Sequence, residues 1–350
     1  MFLNNLYDII QANLQGGFNM NHLNSVALHI TNICSHNCPM CYATNQTQIK
    51  RESDLDTLKK IAIELKKANV EEINLVGGDP CEYSHIEELL KYLNSLGFSL
   101  PILSNTHNYK NSSIERVTSY VSSLEGTIHG ESAKIHDAFC GMEGAYDNLV
   151  SNLKLYNSIK DKNQNIGIVL NVMKHNYNHL YDSIYSLKEQ NLDIDYVLVQ
   201  RIGTYGRAEG KDNYKMALNQ IISAFYDIDR INKELNIETR MVDAFPYCLI
   251  PEEYHQYLDR CDWGFGTAAI DMDGNLSRCA VCFKPLGNVL TENIADLWEN
   301  SEELKKFRSK EYLTDICKKC DVLDKCGGGC AISCGTAKLE TDQLVKSLKL

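Results

Sequence analysis

No apolar run in this chain approaches the roughly 18 residues needed to cross a bilayer, so a membrane-spanning helix is not expected. The first residues, MFLNNLYDIIQANLQGG, hold neither a basic n-region nor a long apolar stretch, and do not read as a secretory signal. Positive charge is scarce: 35 Lys and Arg face 46 Asp and Glu, a formal net charge of −11. No basic cluster overrides that balance, so no nucleic acid partner gripped through phosphates is expected. Six prolines in 350 residues leave no Pro-rich linker, and there are no internal repeats or low-complexity segments. What remains is an ordinary globular composition, 44% hydrophobic and 23% charged. The length suits one large domain and a smaller one. Without export or membrane signals the chain is expected in the cytoplasm, where thiols stay reduced.

Cysteine is what the chain has in excess, with fourteen. In a reducing compartment such density points to metal or catalysis rather than disulfides. Cys34, Cys38 and Cys41 lie in CSHNCPMC, a C-x3-C-x2-C spacing. Three thiolates can hold three corners of a four-iron four-sulfur cube and leave the fourth iron open for reaction. Thiols spaced by chance, or part of a zinc knuckle, are the bland alternatives. A second group comprises Cys261, Cys279, Cys282, Cys317, Cys320, Cys326, Cys330 and Cys334, in C-x12-G-x4-C and then C-x2-C-x5-C-x3-C-x3-C. That is enough thiolate for two further clusters. Cys317, Cys320, Cys326 and Cys330 would also suit a tetrahedral zinc site. Cys81, Cys140 and Cys248 stand apart from both groups.

Strand-like apolar runs at 26–30, 72–76, 101–104, 124–128, 166–172 and 196–200 alternate with amphipathic helical stretches. This rhythm predicts a parallel sheet with helices outside, an open partial barrel rather than a closed eight-unit one. Such folds place chemistry in the loops after the strands. The cysteine trio follows the first strand and Gly77–Gly78–Asp79–Pro80 the second, so both belong at one mouth. A helix is expected over 214–235, a hairpin with an Asp-Gly turn over 267–279, and one helix over 294–307.

These motifs resemble the radical S-adenosylmethionine enzymes, and the resemblance covers nearly the whole chain. The trio stands with GGDP where the family usually reads GGEP, and with Ser104–Asn105–Thr106 after a later strand. TIHGESAKIHDAFCGMEGAYDN is similar to another family segment, and the last third, with LGNV at 286–289, resembles a SPASM domain. Three departures stand out. Met40 replaces a usual aromatic residue, Asp79 a usual Glu, and Cys140 a frequent Arg. The resemblance implies an α/β fold: a partial (β/α)6 TIM-like barrel followed by a small Cys-rich α+β SPASM domain with two auxiliary iron–sulfur clusters. The expected bounds are an N-terminal extension 1–23, barrel 24–220, bridging helix and linker 221–254, and SPASM domain with tail 255–350.

It further implies that Cys34, Cys38 and Cys41 carry a 4Fe–4S cluster that binds S-adenosyl-L-methionine, with Gly77, Gly78, Asp79, Pro80, Ser104 and Asn105 around that cofactor. Reductive cleavage would release a 5′-deoxyadenosyl radical that takes hydrogen from a substrate. His129, His136, Asp137 and the pair Gly206–Arg207 resemble further family positions, open between cofactor contact and local hydrogen bonding. Cys317, Cys320, Cys326 and Cys334 would hold the outer auxiliary cluster, and Cys261, Cys279 and Cys330 the inner one. Its fourth ligand stays open between Cys282, Cys248, another residue and substrate.

The expected substrate is a peptide or protein, and the expected activity that of a ribosomal-peptide maturase forming a thioether or carbon–carbon crosslink or oxidising a side chain. The first expected strand begins at residue 26, so a leader-binding domain of roughly 80 residues is not expected. A separate leader-recognition protein or a short substrate would follow. A low-potential flavodoxin or ferredoxin would supply electrons. An anaerobic sulfatase maturase making formylglycine is the alternative, although Ala280 stands where an acidic base would follow the hairpin cysteine. Asp262, Asp271 and Asp273 remain as bases for it. A non-catalytic zinc-binding scaffold is the alternative of another class.

Overall fold

The computed structural model describes residues 22–43, 49–107, 114–203, 205–211, 216–332 and 339–347, apart from the Phe283 side chain, so Cys334 lies outside the described residues. The six expected strands all form: β1 (Ser25–Thr31), β2 (Glu72–Gly77), β3 (Pro101–Ser104), β4 (Ser123–Ile128), β5 (Asn165–Val172) and β6 (Tyr196–Arg201). Sequence neighbours pair side by side, all parallel. Parallel neighbours need long crossovers, and helices supply them. Helix α1 (Leu55–Lys67) shows the logic. Asp54 caps it by accepting the Thr57 N–H at 3.0 Å, and Leu58, Ile61, Ala62 and Leu65 bury one face against the sheet. Helices α2 (Ile86–Ser95), α3 (Ile114–Thr118), α4 (Ala133–Cys140), α5 (Ala145–Ile159), α6 (Leu180–Glu189) and α7 (Leu218–Arg230) continue the ring.

The linker expected over 221–254 is instead partly strand. β7 (Glu238–Met241) adds a seventh parallel member beside β6. Four residues with three polar side chains carry almost no periodic signal, and the strand is fixed by tertiary bonds. The Asn232 side chain both donates to Thr239 O and accepts from Thr239 N–H. The helix expected to reach 235 loses α geometry after Arg230 and unwinds through a π turn to Asn236, at φ 54.

The Asp-Gly hairpin forms as expected between β8 (Thr267–Ile270) and β9 (Asn275–Cys279), with Gly274 at φ 86. A third strand, β10 (Cys282–Asn288), follows. Because β8 pairs parallel with β1, the hairpin extends the barrel sheet into ten strands, ordered β10-β9-β8-β1-β2-β3-β4-β5-β6-β7. The cysteine-rich third is therefore built onto the edge of the strand that feeds the trio. The single helix expected over 294–307 is two, α8 (Ile294–Asn300) and α9 (Glu302–Arg308), broken where Ser301 turns extended at ψ 125.

Inside the barrel, away from the mouth, Glu125 on β4 accepts the Tyr196 hydroxyl at 2.7 Å. Burial pushes its carboxyl up to about 7. A carboxyl raised above its unfolded value favours folding when protonated, so that contribution fades as pH climbs from about 5 to about 7. The shift is worth about 3 kcal/mol. Glu125→Gln should flatten this part of the stability profile in urea unfolding at pH 5, 6, 7 and 8. An unchanged slope would place the ionisation elsewhere.

Candidate functional site

The cysteine trio, GGDP and Ser104–Asn105 meet at one mouth, as the loops after β1, β2 and β3. The contacts are backbone to backbone. Gly78 N–H donates to Thr31 O at 2.8 Å and Asp79 N–H to Ile33 O at 2.7 Å. A Cβ on Gly77 would sit 2.1 Å from Thr31 O, and one on Gly78 2.1 Å from Ile33 O. Both glycines therefore serve the approach of the trio's own loop. Pro80 opens a short 3-10 turn, Pro80–Glu82, and Glu82 Oε1 accepts the Ser35 N–H at 2.6 Å.

Asp79 is buried with its oxygens engaged. Oδ1 accepts from Cys81 N–H at 2.9 Å and from the Ser104 hydroxyl at 2.9 Å. Oδ2 accepts from Asn105 N–H at 2.6 Å. The carboxyl is pushed up to about 6 by burial, against the pull of these donors. It thus locks the second loop to the third. Asn105 in turn donates Nδ2–H to Cys34 Sγ at 3.4 Å. Thr106 beside it is fully buried at φ 55, a strained conformation held by the Asn152 amide on its carbonyl.

The far side of the trio is gripped by Gly206–Arg207, after β6. Arg207 N–H donates to Cys41 O at 2.9 Å, and its guanidinium bonds Asn37 Oδ1 and, at 3.2 Å, Cys38 O. Gly206, at φ 64, has no room for a Cβ, which would lie 2.4 Å from Cys41 O. Of the two roles open to this pair, the structure shows the loop clamp. Asp137 likewise serves local structure, accepting Gly144 and Tyr146 N–H at 2.7 and 2.8 Å. Cys140 ends helix α4 against the trio. Its carbonyl accepts Asn37 N–H at 2.8 Å, and its sulfur, Cys38 Sγ and a His36 ring nitrogen lie within 4.8 Å of one another.

The donor set fits an anionic iron–sulfur cluster on the trio. Burial and the Asp79 charge push the Cys34 thiol up, while a hydrogen bond from Cys140 favours the Cys38 thiolate. N–H and S–H donors thus already point at the sulfurs.

In the C-terminal third, Cys261, Cys279, Cys326 and Cys330 line one cavity with Arg278. Burial and the neighbouring thiols raise the pKa of Cys261 and Cys279, the latter to about 12. Arg278 is 2% exposed; its Nε stands 3.8 Å from a Glu303 carboxylate oxygen without a hydrogen bond, and its Nη2 lacks a hydrogen-bond partner. A buried cation with spare donors among crowded thiols fits a negative cluster there. Cys282 opposes Cys279 across the hairpin. Cys248, exposed, lies instead within electrostatic reach of Cys326, Cys317 and Cys320. Asp262, Asp271 and Asp273 are occupied in turns and an ion pair: Asp262 with Thr267, Asp271 with the Asn275 amides, Asp273 with Arg51.

Within electrostatic reach of Cys261 and Cys330 lies a carboxylate that sequence reasoning missed. Asp243, after β7, accepts Arg201 N–H at 2.7 Å, and burial pushes it up to about 6 despite the nearby Arg201 charge. Arg201 pairs with the buried Asp342 at 2.6 Å, which also accepts Cys330 N–H at 2.8 Å. No local pattern announces Asp342, 141 positions away from its partner.

Residues 28–196 match the Radical SAM superfamily, and residues 261–321 match SPASM, an iron–sulfur cluster-binding domain. The chain belongs to the radical SAM superfamily and carries a SPASM domain. The radical SAM protein is therefore an enzyme, whose family cofactors are S-adenosylmethionine and 4Fe–4S clusters, and the non-catalytic zinc scaffold falls away. An AdoMet-dependent heme synthase of Methanosarcina barkeri is 22% identical over 87% of this chain and 90% of that protein. A PqqA peptide cyclase of Bradyrhizobium diazoefficiens is 21% identical over 87% and 80%. Among solved structures, Streptococcus suis SuiB bound to precursor peptide SuiA shares the fold with a TM-score of 0.73, at 16% identity over 93% of this chain and 76% of that one. No helix among the described residues is long and apolar enough to cross a membrane.

Proposed function

We propose that this radical SAM enzyme acts on a peptide or protein, oxidising or crosslinking a side chain. Cys34, Cys38 and Cys41 would hold the S-adenosylmethionine-binding cluster, and the C-terminal cysteines two auxiliary clusters. Cys261, Cys279 and Cys330 would serve the inner one, with Cys282, opposite Cys279 across the hairpin, as a candidate fourth thiol. Cys317, Cys320 and Cys326 would serve the outer one, with Cys334 or Cys248. When bound and reduced, the first cluster supplies cleavage of S-adenosylmethionine to a 5′-deoxyadenosyl radical, which takes a hydrogen atom from the substrate.

The chain's own residues do the positioning. Asp79, Ser104 and Asn105 tie the loops after β2 and β3 together, and Arg207 and Glu82 pin the trio from both sides. Oxidation or crosslinking by loss of two hydrogens also releases an electron and a proton. An auxiliary cluster would accept the electron. Asp243, whose carboxyl burial raises to about 6 within electrostatic reach of Cys261 and Cys330, would take the proton. A flavodoxin or ferredoxin donor, a separate leader-recognition protein and a cytoplasmic setting complete this reading.

Relatives bear two kinds of substrate name, peptide and heme. One observation favours the peptide. A porphyrin bearing propionates calls for cations free to bind them at the mouth, but among the described residues Arg201 is ion-paired with Asp342, and the Arg207 guanidinium, though its charge is not neutralised, is held by Asn37 and the Cys38 carbonyl. The test is anaerobic turnover with dithionite and S-adenosylmethionine, offering short Cys-bearing peptides encoded beside its gene and, separately, a propionate-bearing porphyrin. Peptide lighter by two hydrogens, with matching 5′-deoxyadenosine, is expected. Turnover of the porphyrin alone would overturn the reading.

A further inference from the structure

We propose that Cys140 is a positioning residue for the cluster on Cys34, Cys38 and Cys41: its S–H donates to Cys38 Sγ and raises that cluster's reduction potential. The proposal rests on the ligand reading given above.

The backbone brings the two sulfurs together before any side chain is considered. Cys140 is the last residue of α4, followed by Gly141 in the left-handed region at φ 64. Its carbonyl holds Asn37 N–H, and Arg207 holds the side chain of that Asn and the Cys38 carbonyl. The first bond tethers helix end to cluster loop, and Arg207 fixes that loop from the segment after β6. Cys140 is fully buried, so its thiol must find a partner inside.

The direction of the protons follows from one backbone amide. His129 N–H donates to His136 Nδ1 at 3.2 Å, so Nδ1 is the bare nitrogen. The ring proton therefore sits on Nε2, which lies 3.4 Å from Cys140 Sγ and donates to it. That leaves the Cys140 S–H to point away; of the two acceptors within 4.8 Å, Cys38 Sγ and a His36 ring nitrogen, the thiolate is the anionic and therefore stronger one. The result is a one-way chain from His129 N–H through His136 and Cys140 to a cluster ligand. Hydrogen bonds to a cluster's sulfurs spread its negative charge and favour the reduced state. Low local dielectric strengthens that effect, even for a weak S–H donor. The bland reading is that Cys140 is a small hydrophobe filling a gap at the helix end.

The two readings separate in a redox titration of the reconstituted holoenzyme, monitored by electron paramagnetic resonance. The signal to follow is the one that shifts when S-adenosylmethionine is added, with the other cluster signals as internal controls. Cys140→Ala should lower its midpoint, cutting the reduced-to-oxidised ratio at the wild-type midpoint about threefold, or about 28 mV at 59 mV per tenfold. Cys140→Ser, which keeps a donor, should stay nearer wild type. His136→Phe, which leaves the thiol in place but removes its orienting donor, should fall between. An unchanged midpoint in Cys140→Ala, or equal shifts in Ala and Ser, would overturn the proposal. So would loss of that cluster in both Ala and Ser, since packing alone would then explain it. Loss in Ala with retention in Ser would support it. Cys38→Ala, read only for iron, tests the ligand reading separately: loss of about four irons supports it whatever Cys140 does.

Discussion

Changing Cys34, Cys38 and Cys41 together to alanine should bring 5′-deoxyadenosine formation to background and remove about four irons per chain, leaving the remaining iron bound. The specificity follows from how the loop is held. Its restraints are the Glu82 carboxylate on Ser35 N–H, the Cys140 carbonyl on Asn37 N–H, and Arg207 on Asn37 and Cys38. None of these uses a thiol of the trio. The three cysteines are half-buried rather than core residues, so truncation leaves no large cavity and the sheet should survive. The C-terminal cysteines reach the barrel through β8 on β1 and through Asp342 on Arg201 and Cys330, contacts the variant does not touch. Iron and sulfide assay, absorption near roughly 400 nm and chromatography of the nucleoside read the three outcomes together. Retained cleavage would sink the assignment of the trio, and loss of all iron would show that the two cysteine groups do not assemble independently.

How much of this was legible before folding depends on how local each signal is. The trio, GGDP and Ser104–Asn105 are short motifs, and the strand–loop rhythm places all three at the carboxyl ends of neighbouring parallel strands. That expectation holds. The role of each residue inside the motif was less legible. GGDP looks like a cofactor cradle, and the fold adds a second use: its glycines let the cysteine loop approach and its Asp ties down the next loop along. The long-range contacts that brace the site gave no local signal, even where the residue itself stood out. Arg207 reaches a carbonyl 169 positions back, and Asn105 reaches Cys34 across 71. Such contacts exist because the strands run in sequential order, an outcome of tertiary pairing that periodicity does not encode. The short β7 went unseen for the same reason, and Asp243 with it. Cys248 illustrates a subtler limit: spacing alone left it open as an inner-cluster ligand, whereas the fold sets it within electrostatic reach of Cys317, Cys320 and Cys326.

The close approach of the two loops carries the second large expectation. Gly78→Ala should lower S-adenosylmethionine cleavage by roughly 100-fold, the scale on which a 1 Å misplacement of a reacting group costs rate. The added Cβ would stand 2.1 Å from Ile33 O, 2.5 Å from Ile33 C and 2.6 Å from Asn32 C. These are backbone atoms, so no rotamer change relieves the overlap, and the loops must separate. Separation strains the bonds from Gly78 N–H to Thr31 O and from Asp79 N–H to Ile33 O. It also draws Asp79 away from Ser104 and Asn105, and through Asn105 it reaches Cys34. The stability cost should be modest, about 1–3 kcal/mol as for other overpacked sites, because the barrel core lies below the mouth. Gly97→Ala is the matched control. Gly97 sits at φ 77, but the nearest atom to an added Cβ is the Lys66 ammonium nitrogen at 3.7 Å. That substitution should cost about 1 kcal/mol through backbone strain alone and leave the cleavage rate intact. If Gly78→Ala cleaves S-adenosylmethionine as fast as Gly97→Ala, the paired glycines merely turn the chain, and the braced-loop account of the site fails.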